Sequence, residues 1–182
     1  MYSNLSVVRK NVLTAMFIAL GVVLPMIFHM TPAALGGRAL LPMHIPVLLT
    51  GLIIGPFYGF FGGLITPLVS SMTTGMPIAG VMAYSMMIEL SIYGLVAGFL
   101  RLYVRTGREY VDLYISLIVA MLAGRIVAGL AQAWILFDGH YAVGLWVASY
   151  FTTSLPGIVL QLIVIPWIVN RLSGLLVIGN TS

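Results

Sequence analysis

Cysteine is absent from this chain, and charge nearly so. Among 182 residues there is no Cys, with only 4 Asp or Glu and 8 Lys or Arg, so charged side chains make up 7%. Without Cys there is neither a disulfide framework nor a thiolate metal site. A soluble domain carries about 25% charged residues, and a chain this poor in charge cannot cover itself with a polar surface. The small basic excess, formally +4, is scattered between apolar runs, which argues against nucleic acid as a partner. The catalytic signatures are missing too: no Gly-x-Ser-x-Gly elbow, no His-Glu-x-x-His pair, no acidic pair on one helix face and no phosphate loop. Nothing here points to a hydrolase, a metalloenzyme or a resident ATPase.

What is present is apolar. Hydrophobic residues make up 61% of the chain and mean hydropathy is +1.13. The chain reads as an integral membrane protein, all-α, with one membrane domain over residues 1–182, because no charged or polar block is long enough to form a second. The apolar run from Asn11 to Phe28 follows a basic flank at Arg9 and Lys10 and resembles a signal peptide in outline. Its length of about 18 residues exceeds the roughly 7–15 of a signal core, which favours a retained first span.

The stretch Leu41–Pro77, "LPMHIPVLLTGLIIGPFYGFFGGLITPLVSSMTTGMP", needs a different treatment. It holds five prolines and has glycine at Gly51, Gly55, Gly59 and Gly63, one every four residues. As one helix, Leu41–Met72 would be about 48 Å long against a hydrocarbon core of about 30 Å. Pro56 would also remove a backbone bond near its middle. Splitting the run at Gly55-Pro56 gives six spans, near 11–29, 41–54, 57–72, 78–100, 111–137 and 145–170. Six spans place Arg9, Lys10, Arg101, Arg105, Arg108 and Arg171 all on one side, and both termini are then cytoplasmic by the positive-inside rule. Only Arg38 falls outside. The glycines read as a helix face that permits close backbone approach, since lipid supplies no hydrophobic drive between helices. Irregular backbone at that depth must be covered by protein or by a watery cavity.

Two charges sit where charge is costly. Glu89 in "MAYSMMIELSIYGL" and Arg125 in "SLIVAMLAGRIVAGLAQAW" fall at similar depth near mid-membrane. An isolated charge there costs several kcal/mol by most estimates, so such residues pair or line a cavity. Either a structural ion pair between adjacent helices or the floor of a ligand site satisfies this, and the two are compatible. Other polar and aromatic groups gather toward the outside: Arg38 and His44 around the first outer loop, Tyr93 one turn from Glu89, Gln132 and Trp134 in span five, and Tyr150 among the hydroxyls of "WVASYFTTSLPG". Aromatic walls with a few orienting polar groups are what a small-molecule pocket requires. The estimated depths separate His44 from Glu89, which disfavours an acid–base pair and with it a small intramembrane enzyme. An accessory membrane protein would need no pocket at all.

Three segments together resemble the substrate-binding S-components of energy-coupling factor (ECF) vitamin transporters, over essentially the whole chain. "TAMFIAL" carries Ala15-x-x-x-Ala19, similar to the alanine pair that docks the first helix of these proteins onto the coupling subunit. The Pro/Gly-rich "LPMHIPVLLTGLIIGPFYGFFGGLITPL" resembles their second and third spans, and "MIELSIYGLVAGFL" their fourth. The resemblance implies a six-helix bundle in the cell membrane that captures a vitamin or vitamin precursor from outside. It also implies a complex with a transmembrane coupling subunit and two cytoplasmic ATPases, and no cofactor of its own. The family's cobalt and nickel members begin Met-His. This chain begins Met1-Tyr2, which counts against a metal substrate.

Overall fold

The computed structural model describes residues 5–29, 40–133, 144, 146 and 148–178, with side chains described throughout except at 28–29, 149–150 and 173–178. Among the described residues there is no strand. Six α-helices follow one another: α1 (Val7–His29), α2 (His44–Ile54), α3 (Pro56–Thr74), α4 (Val81–Tyr103), α5 (Glu109–Ala131) and α6 (Leu155–Ile178), with a π-helical turn at Ala148–Thr152 before the last. Four of them, over Val7–Ile27, Val81–Tyr103, Glu109–Ala131 and Leu155–Leu172, are long and apolar enough to cross a membrane. Large apolar side chains such as Val12, Phe57, Ile118, Ile163 and Trp167 point away from the bundle. In water that would be a liability; in lipid it is the solvent-facing surface.

The break expected at Gly55-Pro56 is present. Gly55 has φ +130°, which an L side chain rarely adopts, and Pro56 opens α3 at a position where its missing N–H costs nothing. Gly55 therefore serves the turn; a β-carbon there would meet nothing. The other three glycines of the series do serve packing. A β-carbon on Gly51 or Gly59 would strike the Gly94 carbonyl of α4, and one on Gly63 would strike the backbone at Leu90. Gly98 continues the seam, where a β-carbon would lie 2.6 Å from the Pro56 Cα. Dispersion between close backbones replaces the hydrophobic drive that lipid cannot provide.

These contacts fix the order of the helices along the bundle. His44 packs beside Tyr93, Gly51 beside Gly94 and Pro56 beside Gly98, so α2 runs alongside α4 in the same direction while α3 returns against it. Helix α2 is only 11 residues long, about 16 Å. Ten of its residues are buried, as expected of a helix apolar all round. Helix α4 packs against α2, α3 and α5; α1 covers α2 and α3; α6 covers α2 and α5. The main core cluster comes from α2, α4, α5 and α6, including Leu48, Leu52, Tyr93, Leu117, Ala120 and Ile165, with a smaller cluster of Met43, Val47 and Leu90 beside it.

The end of the bundle that carries Arg101, Arg105 and Arg108 is tied by polar bonds. Arg101 Nη2 donates to Glu109 Oε1 at 2.7 Å across the α4–α5 connection, and Asp112 Oδ1 accepts from the Thr106 amide (2.8 Å) and hydroxyl (2.6 Å). Asn170 Nδ2 donates to the Tyr110 hydroxyl at 2.7 Å, bringing Arg171 on α6 to the same end. The last helix begins at Leu155, where Pro156 suits the first turn of a helix and the chain is reset at Thr153-Ser154 after the π-helical turn. The fifth ends as an α-helix at Ala131 and continues into a π-type turn at Gln132 and Ala133.

Candidate functional site

The polar groups that matter lie at one level of the bundle, where α2 begins. Glu89, 6% exposed, projects from α4, and its Oε1 accepts a hydrogen bond from the Tyr93 hydroxyl at 2.8 Å, one helical turn along. Arg125 on α5 brings Nε to 3.9 Å from the same oxygen, and His44 at the start of α2 brings Nε2 to 3.8 Å. Neither distance closes a hydrogen bond. The Tyr93 ring meets the His44 ring edge-on at 5.5 Å, and its other side fills the space left by Gly124 of α5, where a β-carbon would collide with it. Three helices thus converge on one carboxylate oxygen.

Aromatic side chains close the cluster beside α5. The Phe151 ring, carried by the π-helical turn, lies 5.5 Å from the Arg125 guanidinium carbon, and Trp146 meets Phe151 edge-on at 5.4 Å. The Trp146 indole N–H donates to the Arg125 carbonyl at 3.3 Å, and its ring rests where Gly129 has no side chain. A guanidinium against an aromatic face is an attractive contact, stronger when desolvated. One turn beyond Gly129, Gln132 donates its amide N–H to the Ser85 hydroxyl of α4, joining α4 and α5 again.

Several of these buried groups are not satisfied by the protein. Among the described residues, neither ring nitrogen of His44 (1% exposed) has a hydrogen-bond partner, and Nε and Nη2 of Arg125 (2% exposed) have none. Leaving a buried polar group unpaired costs about 1–3 kcal/mol, and more when it is charged. Among the described residues no group of three or more His, Asp or Glu side chains comes together to hold a metal ion.

Of the residues expected at a pocket, Glu89, Arg125, His44 and Tyr93 are in mutual reach, and Gln132 lies one to two turns beyond on α5. Arg38 and Trp134 lie outside the described residues, as does the side chain of Tyr150, whose backbone belongs to the π-helical turn. One expectation is corrected: His44 is not separated from Glu89 by depth. Because α2 is a short helix that starts level with the middle of α4, the chain reaches His44 already deep in the bundle. Two hydroxyls of "SSMTTGMP" serve the turn after α3, with Ser70 Oγ donating to the Met76 carbonyl at 2.6 Å and Thr74 Oγ1 accepting from the Met76 amide at 3.2 Å.

Three residues were not expected from the sequence. Phe151 and Trp146 sit in an aromatic-rich run that resembles any membrane-interface segment. Gln161 is the third: it is completely buried on α6, and among the described residues neither amide atom has a hydrogen-bond partner. Its signal is plain, as the one polar side chain in "GIVLQLIVIPW". Counting along the helices from the Asn170–Tyr110 bond, Gln161 is about 14 Å and Arg125 about 22 Å from that end, so Gln161 lies below the cluster rather than in it.

Comparison with known proteins assigns the chain to a family. No curated protein matches the chain. The family model "ECF transporter, substrate-specific component" matches residues 9–169, nearly the full length and every residue of the cluster. The chain therefore belongs to the substrate-specific components of ECF transporters, and it is a multi-pass membrane protein and substrate-binding transporter subunit rather than an enzyme.

Proposed function

We propose that this chain captures a vitamin or vitamin precursor from outside the cell and delivers it across the cell membrane with an ATP-driven coupling module. That module comprises a transmembrane coupling subunit and two cytoplasmic ATPases, which supply the energy this chain has no motif to harvest. The observation that carries the reading is the set of unsatisfied donors on His44 and Arg125, facing one carboxylate deep in the bundle and walled by Tyr93 and Phe151. Polar groups kept dry with hydrogen-bonding capacity unfilled in a membrane protein cost stability unless a guest completes them. In this reading Glu89, Arg125, His44 and Tyr93 bind the substrate directly, with Gln132, Trp134, Tyr150 and Arg38 toward the outer mouth.

All six helices cross or enter the membrane in this account, as one membrane domain with both termini cytoplasmic. Ala15 and Ala19 form the docking face. Both are exposed on α1 beside Met16 and Leu20, leaving a shallow stripe that a partner helix can approach closely. The experiment is uptake of a radiolabelled panel of water-soluble vitamins by cells expressing the chain with and without the coupling module. Accumulation of one compound only with the module, lost on ATP depletion, is expected. Accumulation by the chain alone would overturn the reading.

A further inference from the structure

We infer that the substrate is an uncharged, planar heterocycle whose edge offers a hydrogen-bond donor next to an acceptor. The inference rests on the reading that the Glu89–Arg125–His44 cluster is the substrate site. Three independent features of the cluster lead to it.

The first is charge. Glu89 and Arg125 carry opposite formal charges and cancel, and no other Asp, Glu, Lys or Arg among the described residues joins them. A carboxylate or phosphate substrate would leave a net negative charge in a buried, low-dielectric place, at a cost of several kcal/mol. A cationic substrate would leave a net positive charge with nothing in the cluster to absorb it. A neutral substrate adds no such cost.

The second is the kind of atoms left open. Among the described residues Arg125 Nε and Nη2 are donors without acceptors, and both ring nitrogens of His44 are unused. Among the described residues the Glu89 carboxylate accepts only the Tyr93 hydroxyl, although an ionised carboxylate has room for about four hydrogen bonds. Open donors on Arg125 ask for an acceptor in the guest, and open lone pairs on Glu89 ask for a donor. Since Arg125 and Glu89 are neighbours, the guest's acceptor and donor must be neighbours too. An amide, a lactam or an amino-substituted ring nitrogen has this edge; a carboxylate, which only accepts, would meet Glu89 with repulsion.

The third is shape. Phe151 lies against the guanidinium of Arg125, Trp146 against the edge of Phe151, and Tyr93 against His44, so aromatic rings stand at both ends of the polar row. Flat aromatic guests stack or meet such walls edge-on with favourable quadrupole contacts.

The test reads the charge class of the compound and its mass together. The low-molecular-weight fraction of yeast extract is divided by ion exchange at pH 7 into uncharged, anionic and cationic pools, and each is added to the full-length purified chain. Thermal unfolding reads occupancy, because a ligand that binds only the folded state raises Tm with concentration. Native mass spectrometry of the stabilised sample gives the mass of the bound compound. The uncharged pool alone is expected to raise Tm, with a compound that absorbs in the near ultraviolet. In Glu89→Gln the site gains a net positive charge, and the effective concentration of the uncharged pool should rise about ten-fold, the loss of one charge-assisted bond. Stabilisation by the anionic or cationic pool alone would overturn the inference and leave substrate capture standing. Stabilisation of the wild-type chain by no pool would remove substrate capture itself, and the inference with it.

Discussion

Arg125 Nε stands 3.9 Å from Glu89 Oε1, close enough to pair the charges and too far to close a hydrogen bond. A purely structural ion pair between α4 and α5 gains by closing that gap, since breaking or loosening a buried pair leaves both groups poorly compensated. The open geometry suits a site in which a substrate completes both groups.

The first prediction follows from it. Arg125→Lys keeps the charge but loses the planar fork and its stacking on Phe151, so a folded variant should bind substrate about 10–100-fold more weakly. The double variant Glu89→Arg with Arg125→Glu restores charge balance but reverses donor and acceptor, and should not recover affinity. Equilibrium binding on variants checked for monodispersity measures both. Recovery by the swap would make the pair structural only.

The glycine seam gives a stability prediction with an internal control. A β-carbon at Gly94 would collide with the Gly59 backbone, whereas one at Gly62 would meet Thr50 Cγ2 at an ordinary 3.5 Å. Gly94→Ala should therefore destabilise the detergent-solubilised chain by about 1–3 kcal/mol through overpacking. Gly62→Ala should be neutral or stabilising, because alanine is the better helix former. Thermal unfolding of the two variants side by side decides it; equal behaviour would contradict the α3–α4 crossing.

How much of this is visible in the sequence differs by element. The break at Gly55-Pro56 can be read because two physical limits, bilayer thickness and proline's missing donor, point to the same residue. Glu89 and Arg125 can be matched in depth because each lies on a long helix with a countable rise. His44 cannot, since its depth depends on where the short helix α2 sits against α4, which contacts such as Gly51–Gly94 set. Phe151 is hidden for a similar reason. It belongs to a π-helical turn outside the last helix, and no periodicity in "WVASYFTTSLPG" distinguishes the turn from a continuous span.

Orientation is tested by labelling. The chain has no cysteine of its own, so single substitutions at Ser3, Thr106 and Gly139 report cleanly. An impermeant thiol reagent added to intact cells should modify the cysteine at 139 and spare those at 3 and 106. Labelling at 106 but not at 139 would invert the topology derived from the basic residues.

Docking is tested on α1. Ala15→Trp combined with Ala19→Trp places two bulky side chains on an exposed stripe and touches nothing in the cluster. Uptake in cells containing the coupling module should fall to background, while substrate affinity of the isolated chain stays within about two-fold, as for a surface change remote from the site. Normal uptake by the double variant would place the docking face elsewhere.

The most direct test is equilibrium binding of a radiolabelled panel of water-soluble vitamins and precursors to the purified chain, without ATP and without any partner subunit. One compound should bind saturably at one site per chain, be recovered chemically unchanged, and bind at least ten-fold more weakly to Arg125→Lys, the lower bound set by losing a charge-assisted hydrogen bond. Conversion of the bound compound, or saturable binding unaffected by Arg125→Lys, would contradict substrate capture at the Glu89–Arg125 cluster.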